Sequence, residues 1–347
     1  MNHTRKMAWV DAPEHLEIRE SQLRQPKANE VLIKTAYSAI CGSDMHLYRG
    51  HHPFVKIPCT IGHELSGHVV AVGSDVTAVS VGDLVVPEPI LTCGHCDNCL
   101  RGNYHMCREV SYGYRKGEAG FSDYYFCEER WVHKLDASVS PKVAALIEPL
   151  SVAIHGVEKA GELLGKTVTI IGAGAIGSFS AAVCQAKGAD KIYMVDINES
   201  RLKIAGAGIC TKSFNPKNGD PVAAILNETG GKGSDVVIEC TGAETCIKQA
   251  VEMACPLGVI VQIAINTHPL NDFDYARILQ KELTVRGSQG YCFDFDKAIG
   301  LVNTGRIDLS RYIAGEFPFE QINEAFAAVS APNPPNMKVL IRYGNEE

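Results

Sequence analysis

The chain has 347 residues, of which 46% are hydrophobic, and a formal net charge of -7. That length predicts about two domains with sizeable cores. The acidic balance excludes a nucleic-acid or anionic-membrane surface as its main feature, and no window reaches ~18 uninterrupted apolar residues, so no membrane span is expected.

In chain order, residues 7–10, 16–19 and 30–36 are short β-prone pieces separated by Asp11-Ala12-Pro13 and Gln25-Pro26. The stretch AICGSDMHLYRG, residues 39–50, reads as a turn into a short helix and carries Cys41, Ser43, Asp44 and His46. Residues 67–72 and 81–86 read as strands about a turn at Gly73-Ser74. Together these predict an all-β lobe of many short strands. Cys41, His63 and Glu64 are far apart in sequence but form a donor set suited to zinc. Taken singly, each residue type is ordinary: a core cysteine, a hydrogen-bonding histidine, a surface glutamate.

The lobe is interrupted by CGHCDNCLRGNYHMC, which places Cys93, Cys96, Cys99 and Cys107 within fifteen residues. Four thiolates on so short a loop are what a tetrahedral structural zinc requires. Disulfides are the alternative. Thirteen cysteines are present, and eight of them lie scattered outside the two ligand sets, several in apolar runs, as reduced core cysteines do. The N-terminal stretch shows no apolar signal-peptide core. A reducing cytoplasm is the expected compartment.

From residue 167 the pattern changes to alternating strands and helices. TVTIIGAGAIGSFSAAVCQAKGADKIYMVDI supplies a strand, a glycine turn, a helix and a second strand. The turn, Gly172-Ala173-Gly174-Ala175-Ile176-Gly177, matches G-x-G-x-x-G, and Asp196 closes the next strand about 20 residues on, as a dinucleotide fingerprint requires. The helix N-terminus offers unpaired N–H groups to a pyrophosphate. Asp196 can accept from both ribose hydroxyls and would repel a 2′-phosphate, so NAD is favoured over NADP. Arg201 lies nearby, as an adenine-stacking or solvated side chain. Further strands at 211–214, 235–240, 259–264 and 283–287, with helices between them, predict a doubly wound sheet. Helices follow near 295–304 and 319–329, and a final strand, 338–343, is expected to rejoin the β lobe. Residues 332–335 read as a surface loop.

With these residues in place, the chain resembles the zinc-containing medium-chain alcohol and polyol dehydrogenases over essentially its whole length. Four signals fall in order: Cys41-Gly42-Ser43-Asp44; Gly62-His63-Glu64 with Gly67, Gly73 and Val76; the four-cysteine loop; and the nucleotide turn with Asp196. The segment ALIEPLSVAIHG, residues 145–156, resembles the sorbitol and threonine dehydrogenase branch. There a glutamate, here Glu148, stands where liver-type alcohol dehydrogenases have a cysteine ligand.

The resemblance implies an α/β two-domain fold: a GroES-like β-rich catalytic domain, residues 1–153 and 291–347, and a Rossmann domain with a doubly wound parallel sheet, residues 154–290. It implies two zinc ions per chain. Cys41 and His63 would hold the catalytic zinc, with Glu64 or Glu148 supplying the carboxylate directly or through water, and Cys93, Cys96, Cys99 and Cys107 would hold the structural one. Gly172, Gly174, Ile176, Gly177, Asp196 and Arg201 would bind NAD. Zinc would polarise a substrate hydroxyl, the carbon would give hydride to the nicotinamide, and Ser43 and His46 would carry the proton out. Glu148 would also face the substrate. The expected reaction is oxidation of a secondary hydroxyl of a hexitol, pentitol or tetritol to a ketose. Tyr112, Tyr114 and Tyr291 are candidate substrate contacts. Where sorbitol dehydrogenases have an arginine before that last tyrosine, this chain has Gly290, which removes one polar clamp and leaves the particular polyol open. L-threonine 3-dehydrogenase and butane-2,3-diol dehydrogenase are the alternative activities, and a non-enzymatic NAD- and zinc-binding protein is the alternative class. The partner is a small molecule, neither nucleic acid nor membrane, and the family resemblance implies a homo-oligomer, either a dimer or a tetramer.

Overall fold

The computed structural model describes residues 4–52, 55–112, 117–266, 268–331 and 337–344. The chain forms two compact units, residues 1–148 with 295–347, and residues 149–294. The chain passes between them at 148/149 and 294/295, where the sequence placed the crossings at 153/154 and 290/291. The first crossing lies inside a continuous helix, Ile147–Lys159. Pro149 does not break it, because in a first helical turn the N–H that proline lacks has no intrahelical partner.

The first unit is built from short strands. In order they are β1 (Thr4–Ala12), β2 (His15–Gln22), β3 (Glu30–Ala39), helix α1 (Gly42–Tyr48), β4 (Cys59–Thr60), β5 (Glu64–Val72), β6 (Leu84–Pro87) and β7 (Ile90–Leu91). Then come the one-turn helix α2 (Asp97–Leu100), β8 (Ser111–Tyr112), β9 (Tyr124–Glu128), β10 (Val132–Lys134), α3 (Pro141–Ala144) and α4 (Ile147–Lys159). The strand β3 is the hub. Every residue in it except Lys34 is buried, which is the pattern of a strand covered on both faces. On one side it pairs antiparallel with β5; on the other it pairs first with β9 and then with the C-terminal strand of the chain. A core of Val10, Ile61, Phe121, Phe326 and Ile341 packs against the sheet.

The second unit is a six-stranded, all-parallel sheet: β11 (Thr167–Ile171), α5 (Ala175–Ala186), β12 (Lys191–Val195), α6 (Glu199–Gly206), β13 (Lys212–Phe214), α7 (Pro221–Glu228), β14 (Ser234–Glu239), α8 (Glu244–Met253), β15 (Ala254–Gln262), α9 (Ala276–Gln280) and β16 (Thr284–Gly287). Its strand order is β13-β12-β11-β14-β15-β16. The order reverses between β11 and β14, which opens the crevice where such sheets bind nucleotides. The expected doubly wound sheet is therefore present, with every strand end within five residues of the sequence reading.

The chain then returns to the first unit with α10 (Phe295–Asn303), β17 (Ile313–Pro318), α11 (Ile322–Ser330) and β18 (Lys338–Arg342). β18 pairs antiparallel with β3, so the last strand does rejoin the β lobe. The sequence did not predict β17, which pairs parallel with β18 at the sheet edge. Its residues IAGEFP include a glycine and a proline, which edge strands tolerate and central ones do not. No described helix is long and apolar enough to cross a membrane.

One polar tie within this unit is sensitive to pH. His133 on β10 offers Nε2 to Glu88 at 3.3 Å and Nδ1 to Asp296 on α10 at 3.2 Å, and its ring stacks on Phe295 with centroids 5.0 Å apart. A histidine can donate from both nitrogens only as the cation. Burial pushes its pKa down, but the Glu88 and Asp296 carboxylates outweigh burial and raise it. A raised folded-state pKa contributes stability that is full below the unfolded value of about 6.5 and is lost as pH rises through the folded value. Chemical denaturation between pH 5 and 8.5 should show the wild type losing about 1.5 kcal/mol as pH rises, the worth of a charged hydrogen bond. His133→Gln should lack that slope; parallel curves for the two proteins would remove this tie from the account.

Candidate metal centre and nucleotide turn

Strand register brings the candidate metal ligands to one end of the first unit's sheet. Ala39 pairs with Glu64 on one side and with Leu340 on the other. Cys41 follows two residues beyond Ala39, His63 and Glu64 open β5, and Lys338 opens β18. A one-residue slip in either pairing would turn these side chains to the opposite face.

The ligand atoms of Cys41, His63 and Glu64 lie within 4.8 Å of one another. Cys41 is half-buried, His63 is 9% exposed and Glu64 is fully buried. Thiolate, imidazole and carboxylate are the donors that zinc takes. Burial would push the His63 pKa down, yet the negative charges of Asp44 and Cys41 raise it well above its ordinary value. The field at this position therefore favours a cation, and the residues present fit a divalent metal.

Asp44, which the sequence placed in the motif but gave no task, holds the two ligand segments together. Its Oδ2 accepts from the Cys41 backbone N–H at 2.9 Å, and its Oδ1 accepts from the Gly62 backbone N–H at 3.2 Å and lies 3.4 Å from His63 Nδ1. It is 3% exposed. A carboxylate beside Nδ1 is the arrangement that commonly orients a metal-binding histidine. Gly62, just before the histidine, has φ +98, and a Cβ there would lie 2.6 Å from the Phe121 backbone nitrogen. No other residue fits that turn.

Lys338 is the second residue that the sequence did not single out. Its Nζ donates to Glu64 Oε1 at 2.5 Å and Oε2 at 2.6 Å, and to the Ile40 carbonyl at 3.3 Å. Burial lowers its pKa, but Glu64, Cys41 and Glu148 raise it, so the ammonium stays charged. Glu64 thus carries a counter-ion on both oxygens. Glu148 is 7% exposed in the first turn of α4 and lies outside the three-ligand cluster, near enough for its charge to act on Lys338. Ser43 is half-buried on α1, and His46 on the same helix is exposed. Ser43 lines a pocket with His63, Asp44, Leu47, Ile61 and His52.

The other metal candidate is local. The sulfurs of Cys93 and Cys99 are 4.0 Å apart, those of Cys96 and Cys99 3.6 Å, and those of Cys107 and Cys93 3.5 Å. A disulfide needs ~2.05 Å. Four sulfurs at ~2.3 Å from one tetrahedral ion stand about 3.8 Å apart, which these separations match. Backbone N–H groups of Cys93 and Glu109 donate to Cys107 Sγ, and that of Cys96 donates to Cys93 Sγ, each at 3.3 Å. The Cys99 and Arg108 backbone N–H groups pull the Cys96 thiol down to about 6, while burial and the neighbouring Cys96 push Cys99 up to about 12. Four such thiols do not ionise together without a cation among them. The loop fits zinc. It contains only α2 and a short 3-10 turn, Tyr104–Met106.

In the second unit, the glycine turn has the geometry that the fingerprint requires. Gly172 has φ +104, and a Cβ at Gly177 would lie 1.8 Å from the Gly172 carbonyl, so the helix packs directly on the strand end. A Cβ at Gly174 would meet nothing within 4 Å, which leaves an open approach for a pyrophosphate at the N-cap of α5. Asp196 Oδ2 accepts from the Ala173 N–H and Oδ1 from the Asn198 N–H, both at 2.7 Å, so the carboxylate is fixed at the end of β12. Ile176 is half-buried on α5, and Arg201, in the first turn of α6, donates its N–H to the Asn198 side chain. Glu239, fully buried at the end of β14, accepts from the Thr241 N–H at 2.7 Å and the Gln262 amide at 2.5 Å and shapes the same crevice.

Of the tyrosines, Tyr291 is 1% exposed at the end of the second unit, Tyr112 is in β8 opposite Ile90, and Tyr114 lies outside the described residues, as do residues 332–335.

A two-unit fold with a nucleotide turn in one unit and two zinc-type donor sets in the other defines a metal-dependent dehydrogenase. Residues 27–137 match the alcohol dehydrogenase GroES-like domain, and residues 175–304 match the zinc-binding dehydrogenase domain. The chain is 38% identical over 325 residues to 2-dehydro-3-deoxy-L-galactonate 5-dehydrogenase of Pseudoalteromonas atlantica, covering 93% of this chain and 94% of the relative. It is 35% identical over 320 residues to D-xylulose reductase A of Aspergillus oryzae, covering 89% and 88%. The crystal structure of L-idonate 5-dehydrogenase from Escherichia coli superposes with a TM-score of 0.90 at 28% identity, covering 99% of each chain. The chain belongs to the zinc-dependent medium-chain alcohol and polyol dehydrogenase family.

Removing one partner of a buried ion pair leaves the other charge uncompensated. Lys338→Met should therefore lower unfolding stability of the metal-free protein by about 3–5 kcal/mol, read by urea titration, and Lys338→Arg should recover part of it. Equal stability of Lys338→Met and wild type would show that the pair is not what holds Glu64.

Proposed function

We propose that the protein oxidises a secondary hydroxyl of a sugar alcohol, a hexitol, pentitol or tetritol, to the ketose, with NAD as hydride acceptor. The observation that carries this reading is the convergence of Cys41, His63 and Glu64 within 4.8 Å beside the Ser43 hydroxyl. The named relatives act on sugar-derived secondary alcohols or ketoses, which favours a polyhydroxylated substrate.

When bound, zinc supplies Lewis acidity to the substrate hydroxyl and NAD supplies the carbon that accepts hydride. Cys41 and His63 hold the metal, with Glu64 or Glu148 as the carboxylate. Asp44 keeps the Cys41 and His63 segments in register. Lys338 shares the charge of Glu64, so that carboxylate is a weaker metal donor in its presence. Ser43 accepts the proton leaving the substrate hydroxyl, and His46, exposed on the next turn of α1, delivers it to water. Residues 1–148 with 295–347 form the catalytic domain, and 149–294 bind NAD through Gly172, Gly174, Ile176, Gly177, Asp196 and Arg201. The fixed Asp196 carboxylate favours ribose hydroxyls over a 2′-phosphate.

The four-cysteine loop holds a second, structural zinc. Cys99→Ser should lower bound zinc from about two per chain to about one, measured by metal analysis, and should lower thermal stability before it lowers turnover per folded chain. A full zinc complement in the variant would refute the second site. The working form is a homo-oligomer, a dimer or tetramer, in the cytoplasm. The edge strand β16 supports this: all four of its residues are exposed, Val285 at 51%, so its free edge can pair across a two-fold axis.

The test of the reaction is NADH absorbance on a panel of hexitols, pentitols and tetritols, with L-idonate, threonine and butane-2,3-diol alongside. Polyol turnover is expected; turnover of threonine alone overturns the reading. Asp196→Ala should lower the NAD-over-NADP preference by at least about tenfold, the worth of one charged hydrogen bond. An unchanged ratio would remove Asp196 from the ribose site.

A further inference from the structure

Glu239 is a buried carboxylate whose hydrogen-bond partners, among the described residues, are all neutral. It ends β14 and is fully withdrawn from water. Its Oε1 accepts from the Thr241 N–H at 2.7 Å, from the Thr241 hydroxyl and from the Gly242 N–H at 3.1 Å. Its Oε2 accepts from the Gly242 N–H at 3.0 Å and from the Gln262 amide at 2.5 Å. Both oxygens only accept, as those of an ionised carboxylate do. The charge of Glu64 is cancelled by the Lys338 ammonium. Neutral dipoles stabilise the charge of Glu239 and leave it in place. Burial raises the Cys240 thiol, and the Glu239 charge raises it further, so the field reaches the residue that follows.

This carboxylate stands where the strand order reverses. Glu239 pairs with Ile171 of β11 on one side and with Gln262 of β15 on the other. The loop that it fixes closes on the nucleotide turn: a Cβ at Gly172 would lie 2.8 Å from Thr241 Cγ2. The same loop closes on the one after β15, where a Cβ at Gly242 would lie 2.4 Å from the Ile265 carbonyl oxygen. A sheet of this order takes a dinucleotide as two halves, one on each side of the reversal. Asp196 follows β12, on the side assigned to the adenosine ribose. β14 lies on the opposite side of β11, so Glu239 belongs to the half that takes the nicotinamide nucleotide.

We propose that the Glu239 charge sets the preference of the second unit for oxidised over reduced cofactor. This rests on the nicotinamide-dinucleotide reading above. The two forms differ in charge at the ring: the oxidised nicotinamide is a cation, and the reduced ring is neutral. A fixed anion in that half stabilises the cation more, and salt screens a buried charge far less than an exposed one. The hydrogen bonds that Glu239 makes hold the loops in the same way for both forms, so they do not separate them. The charge does.

The test measures the Kd of NAD+ and of NADH by calorimetry for wild type, Glu239→Gln, Gln262→Lys and Glu239→Asp. Glu239→Gln removes the charge at nearly constant shape. Gln262→Lys keeps Glu239 and sets an ammonium against it in place of the amide, and it carries the test should Glu239→Gln not fold. Both variants should weaken NAD+ binding relative to NADH on the order of threefold to tenfold, the effect of one unit charge in a partly desolvated site. Glu239→Asp keeps the charge but shortens its reach, so it should lower the melting temperature and leave the ratio of the two Kd values near that of wild type. An unchanged ratio in the folded Glu239→Gln or Gln262→Lys protein, or an equal change of ratio in Glu239→Asp, overturns the role and leaves Glu239 as a tie between loops. A wild type that binds neither NAD+ nor NADH overturns the dinucleotide reading itself, and this role with it.

Discussion

The Lys338–Glu64 ion pair is the constraint on which the first unit depends. Both side chains are withdrawn from water, at 6% and 0% exposure. Two buried charges are tolerated only when their geometry is good and their remaining hydrogen-bonding capacity is met. Here the ammonium bridges both carboxylate oxygens and takes the Ile40 carbonyl as well. Ile40 lies between the end of β3 and Cys41, so the Lys338 ammonium joins β5, β18 and the approach to Cys41. The pairing registers of three strands and the placement of Cys41, His63 and Glu64 are therefore a single problem with a single solution.

The two zinc-type donor sets show opposite ways of building a site. The four-cysteine loop is self-contained. Its sulfurs come from fifteen consecutive residues, and its supporting N–H donors come from that loop and from Glu109 just beyond it. The Cys41 set is assembled from separate strands, and its support comes from Asp44 on α1 and Lys338 on β18. A local set can be rigid whatever the rest of the sheet does. A dispersed set inherits its precision from the sheet, which is why its supports are buried charges and not surface polar groups.

This difference also explains what could be read from the sequence. The cysteine loop and the glycine turn are local signatures, and Gly174, Gly177 and Asp196 occupy the places their spacing assigned them. The parallel order of the second unit followed from alternating strands and helices, because crossover connections leave few topologies. Asp44 and Lys338 were harder. Asp44 was visible inside a motif, but its bonds to Gly62 run across eighteen residues of sequence. Lys338 sits 274 residues from Glu64, and nothing near it in the chain marks it as anything but a strand-end lysine. β17 was missed because Gly315 and Pro318 read as loop residues, and only pairing with β18 makes that segment a strand.

The interrupted layout of the first unit has a consequence for how the protein is made. The second unit is one uninterrupted stretch, residues 149–294, whereas the first is completed only by residues 295–347. On the ribosome the nucleotide-binding sheet can close as soon as its own strands emerge. Cys41, His63 and Glu64 are synthesised long before it, yet β3 lacks its β18 neighbour and Glu64 lacks its counter-charge until residues 338–342 have left the exit tunnel. The cysteine loop can close on itself early, but the Cys41 set stays unfinished until β18 has been made. A chain stalled before β18 would therefore lack the Lys338 support of the Cys41, His63 and Glu64 cluster even where both candidate metal-binding sequences are already present.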